Sequence, residues 1–158
     1  MINLEKAKIV LYDFDDTLCI HEKHGLHNDT DYAAAMVNQD IEWWDKIGCE
    51  PNKAMEKFMN ICANKDMEQG LISAVGFSIS STLKRMWVLQ KYGIQLNDYC
   101  TGSFEGKAKI IQGLIIAKNL SPENILFIDD YWKNLAMVAQ LGVQVATPME
   151  IVNFIYKN

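Results

Sequence analysis

Short apolar runs, each leading into polar residues, constrain this chain more than any other feature. Ile9-Val10-Leu11-Tyr12 closes on Asp13, and Ile125-Leu126-Phe127-Ile128 closes on Asp129-Asp130. A third run, 71–75, carries Ser73, and a fourth is Val143-Gln144-Val145-Ala146. Uninterrupted runs of this length read as strands buried on both faces. A weaker strand is expected near 99–101. Between the runs lie amphipathic segments with helix signals. Ser81 is placed to cap a helix over 81–92, with Gly93 as its stop. Residues 107–118 carry Ile110, Ile111, Leu114 and Ile115 at helical spacing. A helix over 132–141 ends at Gly142, and Thr147-Pro148-Met149-Glu150 reads as a capping box opening a last helix. Strands separated by helices predict an α/β fold, a three-layer Rossmann-like parallel sheet of about five strands.

Residues 20–49 break that rhythm. About fifty residues separate the first two strands, more than one crossover helix requires. Two helices are expected there, over 30–46 and 51–67. The second serves as the crossover, and the first belongs to a small cap or flap inserted into a single domain spanning 1–158. Trp43 and Trp44 in the first helix, and Met55 and Met59 in the second, are expected in the core.

The length, 158 residues, suits one domain. A net charge of −5, with no dense run of Lys and Arg, argues against a duplex nucleic-acid partner. No apolar stretch is long enough to span a membrane, and the first residues carry no secretory h-region. Cys19, Cys49, Cys62 and Cys100 form no CxxC pair and are expected as reduced thiols in the cytoplasm.

Ligands of open α/β sheets bind beyond the carboxyl ends of the strands. Asp13, Asp15, Ser73, Lys107 and Asp129-Asp130 should all face that crevice. The combination suits phosphoryl transfer. Asp13 and Asp130, from different strands, can share a hard oxygen-preferring cation such as Mg²⁺. The cation and Lys107 would offset phosphate charge, so that anionic Asp13 can attack phosphorus. Asp15 is placed for general acid/base work, and Ser73, with Ala74 beside it, for holding a phosphoryl oxygen. Asp16 reads as a turn residue.

Asp13-x-Asp15-x-Thr17, Ser73, Lys107 and Asp129-Asp130-x-x-x-Asn134 resemble, in order, the four motifs of the haloacid dehalogenase (HAD) superfamily. The pattern from Gly106-Lys107 to Asn134 is most similar to its small magnesium-dependent phosphatase branch. The resemblance implies that Asp13 is the nucleophile and Asp15 the acid/base, with the metal held by Asp13, Asp130 and a backbone carbonyl of Asp15. Lys107 would be catalytic and phosphate-binding, with Lys109 as its alternative, and Asp129 and Asn134 would support the metal ligands from behind. Asn134 stands where many relatives carry Asp. The implied activity is Mg²⁺-dependent phosphomonoester hydrolysis on a small molecule or an accessible phosphate of a larger one. Its rivals are transfer of the phosphoryl group to another acceptor and a non-catalytic descendant that binds phosphate or a partner. His21-x-x-His24-x-x-His27 tempts a metal reading, but a flap over the site is preferred. Tyr131-Trp132 would either stack on a substrate ring or pack beneath the site.

Overall fold

A computed structural model describes residues 2–21 and 29–157. Five parallel strands form one sheet in the order β5-β4-β1-β6-β7. They are β1 (Ile9–Tyr12), β4 (Glu68–Leu71), β5 (Asn97–Asp98), β6 (Ile125–Ile128) and β7 (Gln144–Ala146). A second sheet pairs β2 (Cys19–His21) with β3 (Cys49–Pro51), antiparallel. The helices are α1 (Asp29–Val37), α2 (Trp43–Lys46), α3 (Lys53–Asn64), α4 (Ser78–Tyr92), α5 (Phe104–Ala117), α6 (Trp132–Ala139) and α7 (Pro148–Lys157). No helix among the described residues is long and apolar enough to cross a membrane.

The alternation of side chains along β1 and β6 explains their unbroken apolar sequence. Val10, Tyr12, Leu126 and Ile128 enter one core with α3, α4 and α7. Ile9, Leu11, Ile125 and Phe127 enter a second core with α5 and α6. Every residue of these two strands is therefore buried, and the molecule has the three layers that the sequence predicts.

The strand expected over 71–75 lies instead at Glu68–Leu71. Register decides it: Tyr12 pairs with Leu71, and after the Ile72 amide donates to Tyr12 the chain leaves the sheet. Gln69, polar in a buried strand, escapes detection because its partners are distant in sequence. Tyr12 Oη donates to its carbonyl at 2.7 Å, and its amide donates to the Met59 carbonyl at 3.1 Å. Gly70 is required by close approach, since a Cβ there would lie 2.5 Å from the Tyr99 ring. The weak strand forms at Asn97–Asp98, and Thr101 makes only an isolated bridge to Ala74.

Helix boundaries move for local reasons. The segment 30–46 is two helices, because Gln39 turns the chain at φ 53° and the Asp40 carboxylate caps the Glu42 amide. Helix α3 starts where the Asn52 side chain accepts from Ala54 and Met55. Ser81 is not a cap, since α4 begins at Ser78 and Ser81 donates to Asp98 at 2.6 Å. Helix α5 begins at Phe104, capped by Ser103, which places Lys107 in its first turn. The Thr147–Glu150 capping box closes as expected. Trp43, Trp44, Met55 and Met59 are all buried. Helices α1 and α2 lie in the chain between β2 and β3, and Trp44 packs edge-on against Phe14 with centroids 5.1 Å apart.

Candidate active site

Strand β1 lies between β4 and β6, so the residues just past its end meet those just past the ends of its neighbours. The Asp13 amide donates to the Ile128 carbonyl at 2.9 Å, fixing the aspartate at the end of the strand. Leu18 and Cys19 amides both return to the Phe14 carbonyl, and Asp16 adopts φ 55° in this tight turn, the role its sequence position suggests. Beyond the carboxyl edge lies a crevice of about 600 Å³ lined by Asp13, Asp15, Ser73, Ala74, Asp129 and Asp130 among others.

Lys107 is buried behind two of the lining residues, Asp13 and Asp129. Its ammonium donates to Asp13 Oδ1 at 2.8 Å and to Asp129 Oδ2 at 2.7 Å. Lys109 is exposed, so of the two candidate lysines only Lys107 reaches the acids. Asp129 is fully engaged: Asn134 donates to Oδ2 at 2.9 Å and the Tyr131 amide to Oδ1 at 2.8 Å. Burial, with Asp129 and Asp15 nearby, pushes the Asp13 carboxyl up against the pull of Lys107. Burial also raises Asp130, reinforced by Asp129 and Asp16.

Oxygens of Asp13, Asp129 and Asp130 lie within 4.8 Å of one another. The sequence leads to Asp13, Asp130 and the Asp15 backbone carbonyl as metal contacts, and the structure brings the Asp129 carboxylate into the same neighbourhood. The Asp15 carboxylate turns away, accepting from Lys84 at 2.8 Å and from His21 Nε2 at 2.8 Å. Any metal contact from Asp15 is thus left to its backbone carbonyl. Three carboxylates against one ammonium leave two negative charges, and all the donors are hard oxygens. That donor set fits a magnesium ion.

Lys84, on α4, was not singled out by the sequence. It is buried, donates to Ser73 Oγ at 3.0 Å as well as to Asp15, and lies 4.8 Å from the Phe14 ring centroid. Burial pushes the Asp15 carboxyl up, but Lys84 and His21 outweigh it and hold the group well below the usual carboxylate range. In turn, hydrogen bonds with Asp15 and Cys49 push the His21 imidazole up to about 10.

No protein-family model matches the chain, and no curated protein does. Solved structures do. A HAD family enzyme of Bacteroides thetaiotaomicron, in complex with magnesium and inorganic phosphate, superposes with a TM-score of 0.56 at 14% identity, over 89% of this chain and 93% of that one. A haloacid dehalogenase-like hydrolase of Bacteroides fragilis matches at 0.55 and 15% identity, over 89% and 86%. A protein of Thermotoga maritima assigned as a β-phosphoglucomutase matches at 0.59 and 12%, over 95% and 99%. The fold is that of the HAD-like hydrolases.

Within this HAD-like fold the carboxyl edge of the sheet gathers Asp13, Asp15, Ser73, Ala74, Lys107, Asp129, Asp130 and Asn134. Lys84 escaped detection in the sequence because a lysine in an amphipathic helix ordinarily faces solvent. The only available signal was its place three residues after Ser81, on the same face as Trp87 and Val88. Trp132 does not pack beneath the site: it is 66% exposed, and Tyr131 rests on Phe104 at the rim with centroids 6.4 Å apart. His24 and His27 lie outside the described residues.

Proposed function

We propose that the chain is a magnesium-dependent phosphomonoesterase of the HAD superfamily that works through an aspartyl phosphate on Asp13. The observation that carries this reading is the convergence of Asp13, Asp129 and Asp130 around the Lys107 ammonium at the carboxyl edge of the sheet. Neighbours of the same fold, one of them in complex with magnesium and inorganic phosphate, support it.

Asp13 attacks phosphorus and the ester P–O bond breaks, leaving the phosphoryl group on the aspartate. Lys107 steadies the Asp13 carboxylate and offsets charge on the incoming phosphate. Ser73 and the Ala74 backbone, with Lys84 behind Ser73, receive the phosphoryl oxygens. Asp15 carries the proton to the leaving oxygen and later takes one from the attacking water. Lys84 and His21 hold Asp15 ionised, so proton delivery requires these contacts to loosen when phosphate brings its own negative charge. Magnesium, held by Asp13, Asp130 and the Asp15 carbonyl with Asp129 and Asn134 behind them, would supply Lewis-acid stabilisation of the phosphoryl charge. Water then hydrolyses the aspartyl phosphate and restores Asp13. A reducing cytoplasm suits the four unbridged thiols.

Turnover of p-nitrophenyl phosphate with Mg²⁺ tests the reading. Asp13→Asn should abolish it, on the order of a thousandfold or more, with the fold intact by circular dichroism. A folded variant that kept most of the wild-type rate would overturn the mechanism.

A further inference from the structure

The antiparallel pair β2–β3 carries a second constellation that the phosphatase reading leaves unused. His21 and Cys49 are register partners across the pair, and Cys19 lies two residues before His21 on the same strand. Period-2 alternation puts Cys19 and His21 on one face of β2, and the partner of His21 shares that face. The result is a compact donor set: Cys19 Sγ, Cys49 Sγ and a ring nitrogen of His21 lie within 4.8 Å of one another. Both cysteines are buried and unbridged.

The imidazole stands between the Cys49 thiol and the Asp15 carboxylate, with Cys49 Sγ also 4.0 Å from Nε2. Nδ1 faces Cys49 Sγ at 3.3 Å, and Nε2 meets Asp15 Oδ1 at 2.8 Å. A histidine that binds a metal through one nitrogen characteristically gives its other N–H to a carboxylate, which fixes the tautomer and the ring plane. A tetrahedral zinc ion, with Zn–S about 2.3 Å and Zn–N about 2.0 Å, spaces a sulfur and a nitrogen ligand about 3.5 Å apart. The observed separation is close to that already. Two thiolates and an imidazole select a thiophilic cation, whereas the three carboxylates beside Lys107 select a hard one. The two sites therefore differ in chemistry while meeting at Asp15.

We infer that Cys19, His21 and Cys49 form a zinc site at the root of the β2–β3 pair, distinct from the magnesium-type carboxylate cluster. Binding is a ligand exchange. The protons on the two sulfurs and on Nδ1 leave to solvent, Zn–S and Zn–N bonds form, and the Nε2 proton stays on the hydrogen bond to Asp15. The ion ties β2 to β3 at the His21–Cys49 pair and fixes the plane of the His21 ring.

Cobalt substitution of the reduced, metal-stripped chain tests this. Thiolate-to-cobalt charge-transfer absorption should appear and saturate at one Co²⁺ per chain, whatever the carboxylate cluster binds, and Zn²⁺ should bleach it stoichiometrically. Asp130→Asn should leave the band intact. Cys49→Ser and His21→Gln should each weaken Zn²⁺ binding at least tenfold in competition with a chromophoric chelator. Cys19 is the most deeply buried of the three, so Cys19→Ala is read only alongside a native circular dichroism spectrum, and the Cys49 and His21 variants carry the test if it unfolds. Absence of the charge-transfer band in the wild-type chain, or unchanged zinc affinity in folded Cys49→Ser, overturns the site. Because the readout is spectroscopic, loss of phosphatase activity in any arm bears on the proposed function and leaves the zinc site standing.

Discussion

The Lys84 ammonium lies 2.8 Å from Asp15 Oδ2, inside a ring of contacts that also takes in Ser73 and Phe14. One cation thus links the proposed proton carrier to the proposed phosphate-binding hydroxyl. Lysine and aspartate stand on different elements, sixty-nine residues apart.

Lys84→Met keeps the apolar stem and removes the charge. The variant should fold, because Met suits the space beside Phe14 and Trp87. Turnover of an aryl phosphate should fall about tenfold, less than the roughly 10²–10⁴-fold that a proton-transfer group itself supplies, because Lys84 positions Asp15 and does not replace it. Lys84 holds the Asp15 carboxyl down, so its removal should move the acid limb of the pH–rate profile to higher pH. A lower rate with an unmoved acid limb would reduce Lys84 to a packing residue.

Chelation should stop turnover, and Mg²⁺ should restore it better than Ca²⁺. Calcium is larger and accepts more ligands, so it would set Asp13 in a geometry less suited to in-line attack. Initial rates in metal-free buffer with each ion added back decide the matter, and equal rates would count against an octahedral magnesium site.

Gly70→Ala places a methyl group 2.5 Å from the Tyr99 ring. Overpacking of this kind costs roughly 1–3 kcal/mol. Urea unfolding should show the loss, and pairing Gly70→Ala with Tyr99→Leu should recover part of it. Simple additivity of the two substitutions would place the strain elsewhere.

Glu68 makes a contribution to stability that depends on pH. Burial raises its carboxyl, but Lys118, Tyr99 and Asn97 together outweigh that and lower it. A folded-state value below the unfolded one contributes stability that is present above the unfolded pKa, about 4.3. That contribution is lost as pH falls through the folded value. Glu68→Gln should therefore be less stable than wild type at pH 7, with the difference shrinking below pH 4. A stability gap that stayed constant from pH 7 to pH 3 would contradict the ion pair.

The strands that a sequence displays best are those whose two faces are both dry, and β1 and β6 show this. Strand β4 was displaced because Gln69 and Gly70 break the apolar pattern for reasons held by Tyr12, Met59 and Tyr99, none of them nearby in sequence. Asp13, Ser73 and Asp129-Asp130 were legible because they follow strands at the carboxyl edge, a topological fact that short-range pattern carries. Strands β2 and β3 were not, since each has three residues and their pairing bridges twenty-eight positions from His21 to Cys49. The Cys19–His21–Cys49 group depended on that pairing and stayed hidden with it, whereas Lys84 was hidden because a helix lysine ordinarily faces solvent.

The pairing of His21 with Cys49 has a consequence for how such a chain diversifies. The chain between β2 and β3 leaves and returns at neighbouring positions of one ladder, so that stretch can be exchanged without opening a gap in the scaffold beneath. Trp44 limits the freedom, because it lends a wall to the Phe14 side of the turn that follows Asp13. A graft between β2 and β3 that supplies an aromatic at that spot would inherit the acid cluster intact and bring a new mouth to it. One that omits the aromatic would loosen the turn between Asp13 and Asp15 first. Novelty in this molecule is thus cheap at one seam and constrained there by a single ring.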